Sequence, residues 1–167
     1  MSATLTACRG DITVEVTHAI VNAANSRLAP GGGVCGAIFA AAGRGLAEAC
    51  AALGGCPTGD ARATPGFALP ARWIIHAVGP VWQGGDHGEA GLLASAYRRC
   101  LAVADELGAR SVSFPAISTG IFGYPLDPAT AIAVETVRTA TTDVELARFV
   151  CFDAATFAAY ERELAQT

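Results

Sequence analysis

Charged and aromatic side chains are scarce in this chain. Charged residues make up 16% of its 167 positions and aromatic residues 7%, against 52% hydrophobic. So little charge beside so much apolar content excludes a disordered chain. The formal net charge of −4 excludes a broad footprint on a phosphate backbone, so long nucleic acids are not expected partners. A small phosphorylated ligand is still allowed, because backbone N–H groups bind phosphate without Lys or Arg. Mean hydropathy is positive, yet no run approaches the roughly 18 apolar residues, free of Gly and charge, that a membrane helix needs. The opening MSATLTACRGD lacks a basic stretch followed by an apolar one, so no signal peptide is expected and the cytoplasm is the expected location. The six cysteines, Cys8, Cys35, Cys50, Cys56, Cys100 and Cys151, include no C-x-x-C pair and read as reduced thiols. The three histidines, His18, His76 and His87, show no metal-ligand spacing. No metal and no cofactor are expected. Repeats, low-complexity tracts and linkers are missing too, which points to one domain over residues 1–167, expected as a monomer.

What the chain does have is alternation. Apolar, β-favouring runs at Ile20–Val21, Trp73–Val78, Ser111–Ile117 and Ala147–Phe152 are separated by helix-like segments at Val34–Ala42, Leu46–Leu53, Ala90–Leu107, Pro128–Thr139 and Ala154–Leu164. Leu93, Ala96, Tyr97, Cys100, Leu101 and Ala104 form a stripe of helical period, and Gly108 is placed to cap it. Asp127-Pro128 reads as an N-cap followed by Pro at the first helical position. Trp73 and Phe149 read as core, and the last helix as a packing helix. Strands alternating with amphipathic helices predict a three-layer α/β domain. The Gly-rich polar loops are Ser26–Gly33, Gln83–Gly88 and Ser118–Tyr124. Two of them follow strands directly, where open α/β sheets bind ligands. The loop at Trp82–Gly88 reads as a mobile cover, with Asp86 and His87 solvated.

The stretch GGGVCG formally matches a dinucleotide fingerprint with Gly31, Gly33 and Gly36. NAANSRLAP intervenes between strand and glycines, however, and Cys56 stands where an acid is required, so a Rossmann site is rejected. The underlying physics still holds: glycines let a backbone approach a diphosphate, and the next helix N-terminus aims free N–H groups at it. A tight turn alone would also explain the glycines. Ser118-Thr119-Gly120-Ile121-Phe122-Gly123 is a second such loop after a buried run, and two loops together can grip a diphosphate from both sides. Phe122 reads either as a sugar platform or as a core aromatic. Asn22 and Asn25, at the end of AIVNAANS, read either as turn-formers or as ligands to ribose hydroxyls.

Six pieces in order, GDIT (10–13), AIVNAANS (19–26), PGGGVCGAI (30–38), TGDARAT (58–64), LPARWIIHAVGP (69–80) and FPAISTGIFGYP (114–125), resemble the macrodomain family, specifically its MacroD-type branch. The resemblance covers most of the chain. It implies a three-layer α/β/α fold with a mixed central sheet and an ADP-ribose cleft at the sheet's carboxyl end. By position, Asp11 would accept from the adenine amino group, Ile12 would line that pocket, and Phe152 would flank the ring or close the strand as core. Gly32, Gly33 and Val34 would form one diphosphate wall, and Ser118, Thr119, Gly120, Ile121 and Phe122 the other. Asn25 would hold the distal ribose, with Phe122 on that sugar.

The family's MacroD-type hydrolases typically carry Asp where this chain has Cys35, and often His where it has Phe39. Cys35 reads as inert packing, as a water-positioning partial thiolate or as a nucleophile; the last lacks an evident His base. Asn25, Gly33 and Cys35 are the candidate catalytic group. The expected activity is hydrolysis of the ester joining mono-ADP-ribose to Glu or Asp of a protein, or of O-acetyl-ADP-ribose, with water as nucleophile and mono-ADP-ribosylated proteins as partners. A non-catalytic ADP-ribose reader and an enzyme of related phosphorylated riboses, such as cyclic phosphodiesters, are the alternatives.

Overall fold

The computed structural model describes residues 2–166. Six strands and five α-helices follow one another as β1 (Thr4–Arg9), β2 (Ala19–Ala23), α1 (Gly33–Ala42), α2 (Gly45–Leu53), β3 (Ala61–Pro65), β4 (Trp73–Ala77), α3 (Glu89–Leu107), β5 (Ser111–Phe114), α4 (Leu126–Thr139), β6 (Leu146–Cys151) and α5 (Ala154–Ala165). A short 3-10 turn spans Ile12–Val14. The strands form one sheet in the order β1-β6-β5-β2-β4-β3. The first five run parallel, and β3 closes the edge antiparallel to β4. Among the described residues no single helix is long and apolar enough to cross a membrane.

Strand alternation divides the core into two layers. Val21, Ile75, Val112, Phe114 and Phe149 point to one face and meet Leu93 and Tyr97 of α3, Val134 of α4 and Tyr160 of α5. Ile20 and Ile74 point to the other and meet Ile38 of α1 with Leu46 and Cys50 of α2. The result is a three-layer α/β/α fold around a mixed sheet. The few aromatics are concentrated in the first layer. Tyr97, Phe114, Phe149 and Tyr160 form a ladder with centroid separations of 5.6, 5.7 and 4.8 Å. Burying each such ring contributes about 1.5–3 kcal/mol. Phe149 is core as expected, whereas Trp73, the first residue of β4, is only half-buried, packing on the first core layer under the Arg72 guanidinium.

Two expectations need correction. α4 begins at Leu126 with Pro125 in the cap position, so Asp127 and Pro128 lie inside its first turn. The first four helical N–H groups have no intrahelical acceptor, so Pro128 sacrifices no bond there. The strands β1 and β3, TLTACR and ARATP, were not expected at all; both are edge strands and largely half-exposed.

The topology places the site. The carboxyl ends of all five parallel strands share one edge. From β2 the chain moves outward to β3 and β4, then crosses by α3 to β5 on the opposite side of β2. That reversal makes β2 a topological switch point, where open α/β sheets hold ligands.

Candidate functional site

At the β1/β6 end of this edge, Gly10 N–H donates to Cys151 O at 3.0 Å and fixes the loop after β1 beside the end of β6. Asp11 caps the 3-10 turn: its Oδ1 accepts from Thr13 N at 2.9 Å and from Thr13 Oγ1 at 2.7 Å. The Thr13 hydroxyl and amide together hold its carboxyl below the ordinary carboxylate range. The second oxygen, Oδ2, has no partner among the described residues. Ile12 is buried against Val150 in the second core layer. Phe152 follows β6 directly and is 83% exposed, which removes the core role considered for it. Asp153 then caps α5 through Thr156 N. The edge thus carries an acceptor, an apolar floor and an unsupported aromatic ring.

The first Gly-rich loop leaves β2. Both ends of the Asn25 amide bond to Ala29: Nδ2 donates to its carbonyl at 2.8 Å and Oδ1 accepts from its N–H at 3.0 Å. Leu28, in the left-handed region at φ 57°, plugs the core between them. The glycines then divide their roles. Gly33 has φ +57°, which favours glycine. A Cβ on Gly36 would come within 2.6 Å of Gly31 O, whereas one on Gly31 would meet Asn25 Nδ2 and Cys35 Sγ at an ordinary 3.6 Å. Gly32 caps α1 without any side-chain bond, so the first-turn N–H groups stay open to an anion.

The second loop leaves β5 and faces the first. Ser118 is buried in the left-handed region at φ 69°. Its Oγ has no hydrogen-bond partner among the described residues. A Cβ on Gly79 would overlap that hydroxyl, so only glycine there lets the chain after β4 approach. The loop closes on itself through Tyr124 N to Ser118 O at 2.9 Å and Gly123 N to Gly120 O at 3.0 Å. Ile121 is 82% exposed, and its Cδ1 lies 3.2 Å from where a Gly32 Cβ would stand. The two loops therefore meet over the N-terminus of α1. Phe122 is half-buried and belongs to neither core layer.

The neighbouring loop, expected to be mobile, is tied down. Glu89 is 1% exposed, and its carboxylate accepts from Gln83 N at 2.9 Å, Gly85 N at 3.0 Å and His87 N at 2.7 Å. Burial pushes its carboxyl up, but these backbone donors win and hold it down to about 2. Trp82 N donates to Phe122 O at 2.8 Å, and the Trp82 ring packs on Tyr124 at 4.7 Å, which couples this loop to the second Gly-rich one. Asp86 and His87 are solvated, as expected.

Two residues depart from their expected places. Asn22 has zero exposure and turns inward, so it cannot touch a ribose in this conformation. Its Nδ2 lies 3.0 Å from His76 Nδ1 and 3.7 Å from Cys35 Sγ. Cys35 is 6% exposed, and its Sγ donates weakly to Ala29 O at 3.8 Å. No direct His base reaches it, but His76 lies one amide away. The only sequence sign of this was WIIHAV, whose alternation puts His76 on the face of Ile74; its pairing with Asn22 is a long-range fact. Among the described residues no group of three or more His, Cys, Asp or Glu side chains is arranged to hold a metal ion.

A family model described as Macro domain matches residues 21–133. The chain is 56% identical over 161 residues to a macro domain-containing protein of Ralstonia nicotianae, covering 96% of this chain and 94% of that one. It is 53% identical over 162 residues to one of Chlorobaculum tepidum, covering 95% and 94%. Among solved structures, the Oceanobacillus iheyensis macrodomain with ADP superposes with a TM-score of 0.93 at 42% identity, over 98% of this chain and 90% of that one. The Trypanosoma brucei macrodomain in complex with ADP-ribose gives 0.90 at 40%, over 96% and 69%. This chain belongs to the macro domain family.

Proposed function

We propose that this protein binds ADP-ribose along the carboxyl edge of its sheet and hydrolyses the ester that joins mono-ADP-ribose to Glu or Asp side chains, with O-acetyl-ADP-ribose as a smaller substrate of the same kind. One observation carries the binding: two Gly-rich loops converge over the uncapped N-terminus of α1, one of them presenting a buried, unpartnered Ser118 hydroxyl. A diphosphate suits that arrangement of open donors. Complexes of related macrodomains with ADP and with ADP-ribose support the same ligand.

The adenine lies against Phe152 and Ile12, with its amino group on Asp11 Oδ2. The diphosphate lies between Gly32–Val34 and Ser118–Phe122, and the distal ribose reaches Asn25 and Phe122. Water adds to the acyl carbon, the ribose oxygen leaves with a proton, and the products are a free carboxylic side chain and ADP-ribose. The acyl ester is labile, so positioning supplies much of the rate. Cys35 faces Asn22 and the Ala29 carbonyl. That orientation suits a residue that shapes the loop rather than one that attacks. Cys35→Ala is therefore expected to retain most activity, whereas Asn25→Ala loses it. The protein is read as a metal-independent cytoplasmic monomer, with mono-ADP-ribosylated proteins as its partners and no role for long nucleic acid.

A reader without catalysis is the second reading, favoured by the inward engagement of both Asn25 and Cys35. The deciding experiment is release of ADP-ribose from a protein mono-ADP-ribosylated on glutamate, with EDTA present. Release above the buffer rate is expected. Protein that binds ADP-ribose yet releases none would leave the reader.

A further inference from the structure

Beneath α1 the sheet carries a row of polar side chains on which the proposed chemistry does not draw. Asn22 on β2 and His76 on β4 are register partners, both with zero exposure. The ring's far nitrogen, Nε2, lies 2.9 Å from Thr64 Oγ1 on β3 and 3.6 Å from Cys50 Sγ on α2. Thr64 Oγ1 in turn lies 3.2 Å from Pro65 O. Burial lowers His76 to about 4, so the ring is neutral and carries one N–H. Burial also pushes the Cys50 thiol up to about 11, so it stays protonated.

A neutral ring allows two arrangements. In the first, the Thr64 hydroxyl donates to Pro65 O and accepts from Nε2–H. Nδ1 then accepts one N–H of Asn22, and the other N–H of that amide points at Cys35 Sγ. One acceptor, Asn22 Oδ1, is left without a partner. In the second, Thr64 donates to Nε2, and Nδ1–H donates to an Asn22 amide turned end for end. Two buried N–H groups then take the place of Oδ1 with nothing to receive them, and Pro65 O loses its donor. The first arrangement also denies the weakly donating Cys50 S–H a bare Nε2, but two unpaired amide N–H groups cost more than that and one unpaired carbonyl, so it prevails.

We propose that Thr64, His76 and Asn22 form a buried positioning relay that fixes Cys35 Sγ as a hydrogen-bond acceptor, leaving its S–H for Ala29 O. Donors run outward from the Asn22 amide, one way through the ring and Thr64 to Pro65 O, the other through Cys35 to the carbonyl that Asn25 also grips. A hydroxyl on β3 thereby sets the shape of the loop before α1. Its consequence for hydrolysis rests on the proposed function; the order of hydrogen bonds does not.

The test reads the His76 tautomer by 15N NMR at pH 7. The wild-type ring is expected to carry its proton on Nε2 with Nδ1 bare; a proton on Nδ1 would overturn the relay without any variant being made. Thr64→Val removes the acceptor and should shift the Nε2 resonance as its N–H loses its oxygen partner, while Thr64→Ser keeps the wild-type signal. An Nε2 resonance left unchanged by Thr64→Val would also overturn the proposal. Should the wild type release no ADP-ribose, the hydrolase fails while the tautomers still decide the relay.

Discussion

The two Gly-rich loops lie across the same cleft but are held by different means. The first is held by side chains: Asn25 grips Ala29, Leu28 plugs the core, and the shape depends on Gly36 lacking a Cβ. The second is held by backbone: it closes on its own amides and leans on Trp82, whose loop is fixed by Glu89. The first is therefore fragile to substitutions inside it. The second is fragile to substitutions elsewhere, at Gly79 and Glu89.

The sharpest break is where the first turn of α1 packs on the first loop. Gly36→Ala drives a Cβ into Gly31 O. Although Ala favours a helix by about 1 kcal/mol over Gly, overpacking against backbone costs about 1–3 kcal/mol. A melting temperature several degrees lower, with ADP-ribose affinity down by tenfold or more in calorimetry, is expected. Gly31→Ala, with ordinary contacts, should change stability by less than about 0.5 kcal/mol. Equal behaviour of the two variants would refute the division of labour among these glycines.

Next in size is Asn25→Ala. Loss of two half-buried hydrogen bonds corresponds to about 1–2 kcal/mol of stability, measured by urea unfolding. Under the proposed function hydrolysis should fall further than stability does, since Asn25 is there assigned to the distal ribose.

Acid reaches both loops, the first through His76 and the second through Glu89. His76 titrates at about 4 in the fold, below its ordinary 6.5. The unfolded chain then binds the extra proton, so the stability linked to His76 is full above 6.5 and is lost as pH falls toward 4. Glu89 is likewise held near 2 from an ordinary 4.5, and its share is lost as pH falls from 4.5 toward 2. Unfolding followed from pH 7 to pH 2 should show both limbs. Glu89→Gln should shrink the lower one, which Asp60 shares because, against the upward push of burial, Arg62, Arg99 and Ala61 N hold it down to about 2, and should speed proteolysis of the 83–88 loop. An unchanged lower limb would remove Glu89 as its fastener.

The smallest effect belongs to the one place where the loops touch. Ile121→Ala should leave stability within about 0.5 kcal/mol, since the residue is largely exposed. It should weaken ADP-ribose binding about two- to threefold by uncovering Gly32.

The sequence was most legible where burial is continuous. WIIHAV and SVSF declare strands by themselves, and the stripe from Leu93 to Ala104 declares α3. β1 and β3 escaped because edge strands face solvent on part of their surface and need no apolar run. At the site, the Gly-rich loops could be read because conformational demands are local. Asn22 was misplaced because its partners, His76 and Cys35, come from β4 and α1, and pairing across a sheet leaves no local mark. The same applies to Glu89, whose three donors belong to a loop that its own composition describes as free. The particular ligand was readable only through resemblance, since free N–H groups at a helix end admit many anions.

Ser118 combines a left-handed backbone with a buried hydroxyl that nothing among the described residues satisfies. Such strain and lost hydration destabilise the empty protein. Occupancy by a group that accepts from that hydroxyl relieves part of the burden, and by mass action the folded state gains in proportion to the logarithm of ligand concentration. The melting temperature of this chain is thus a gauge of the ligand around it.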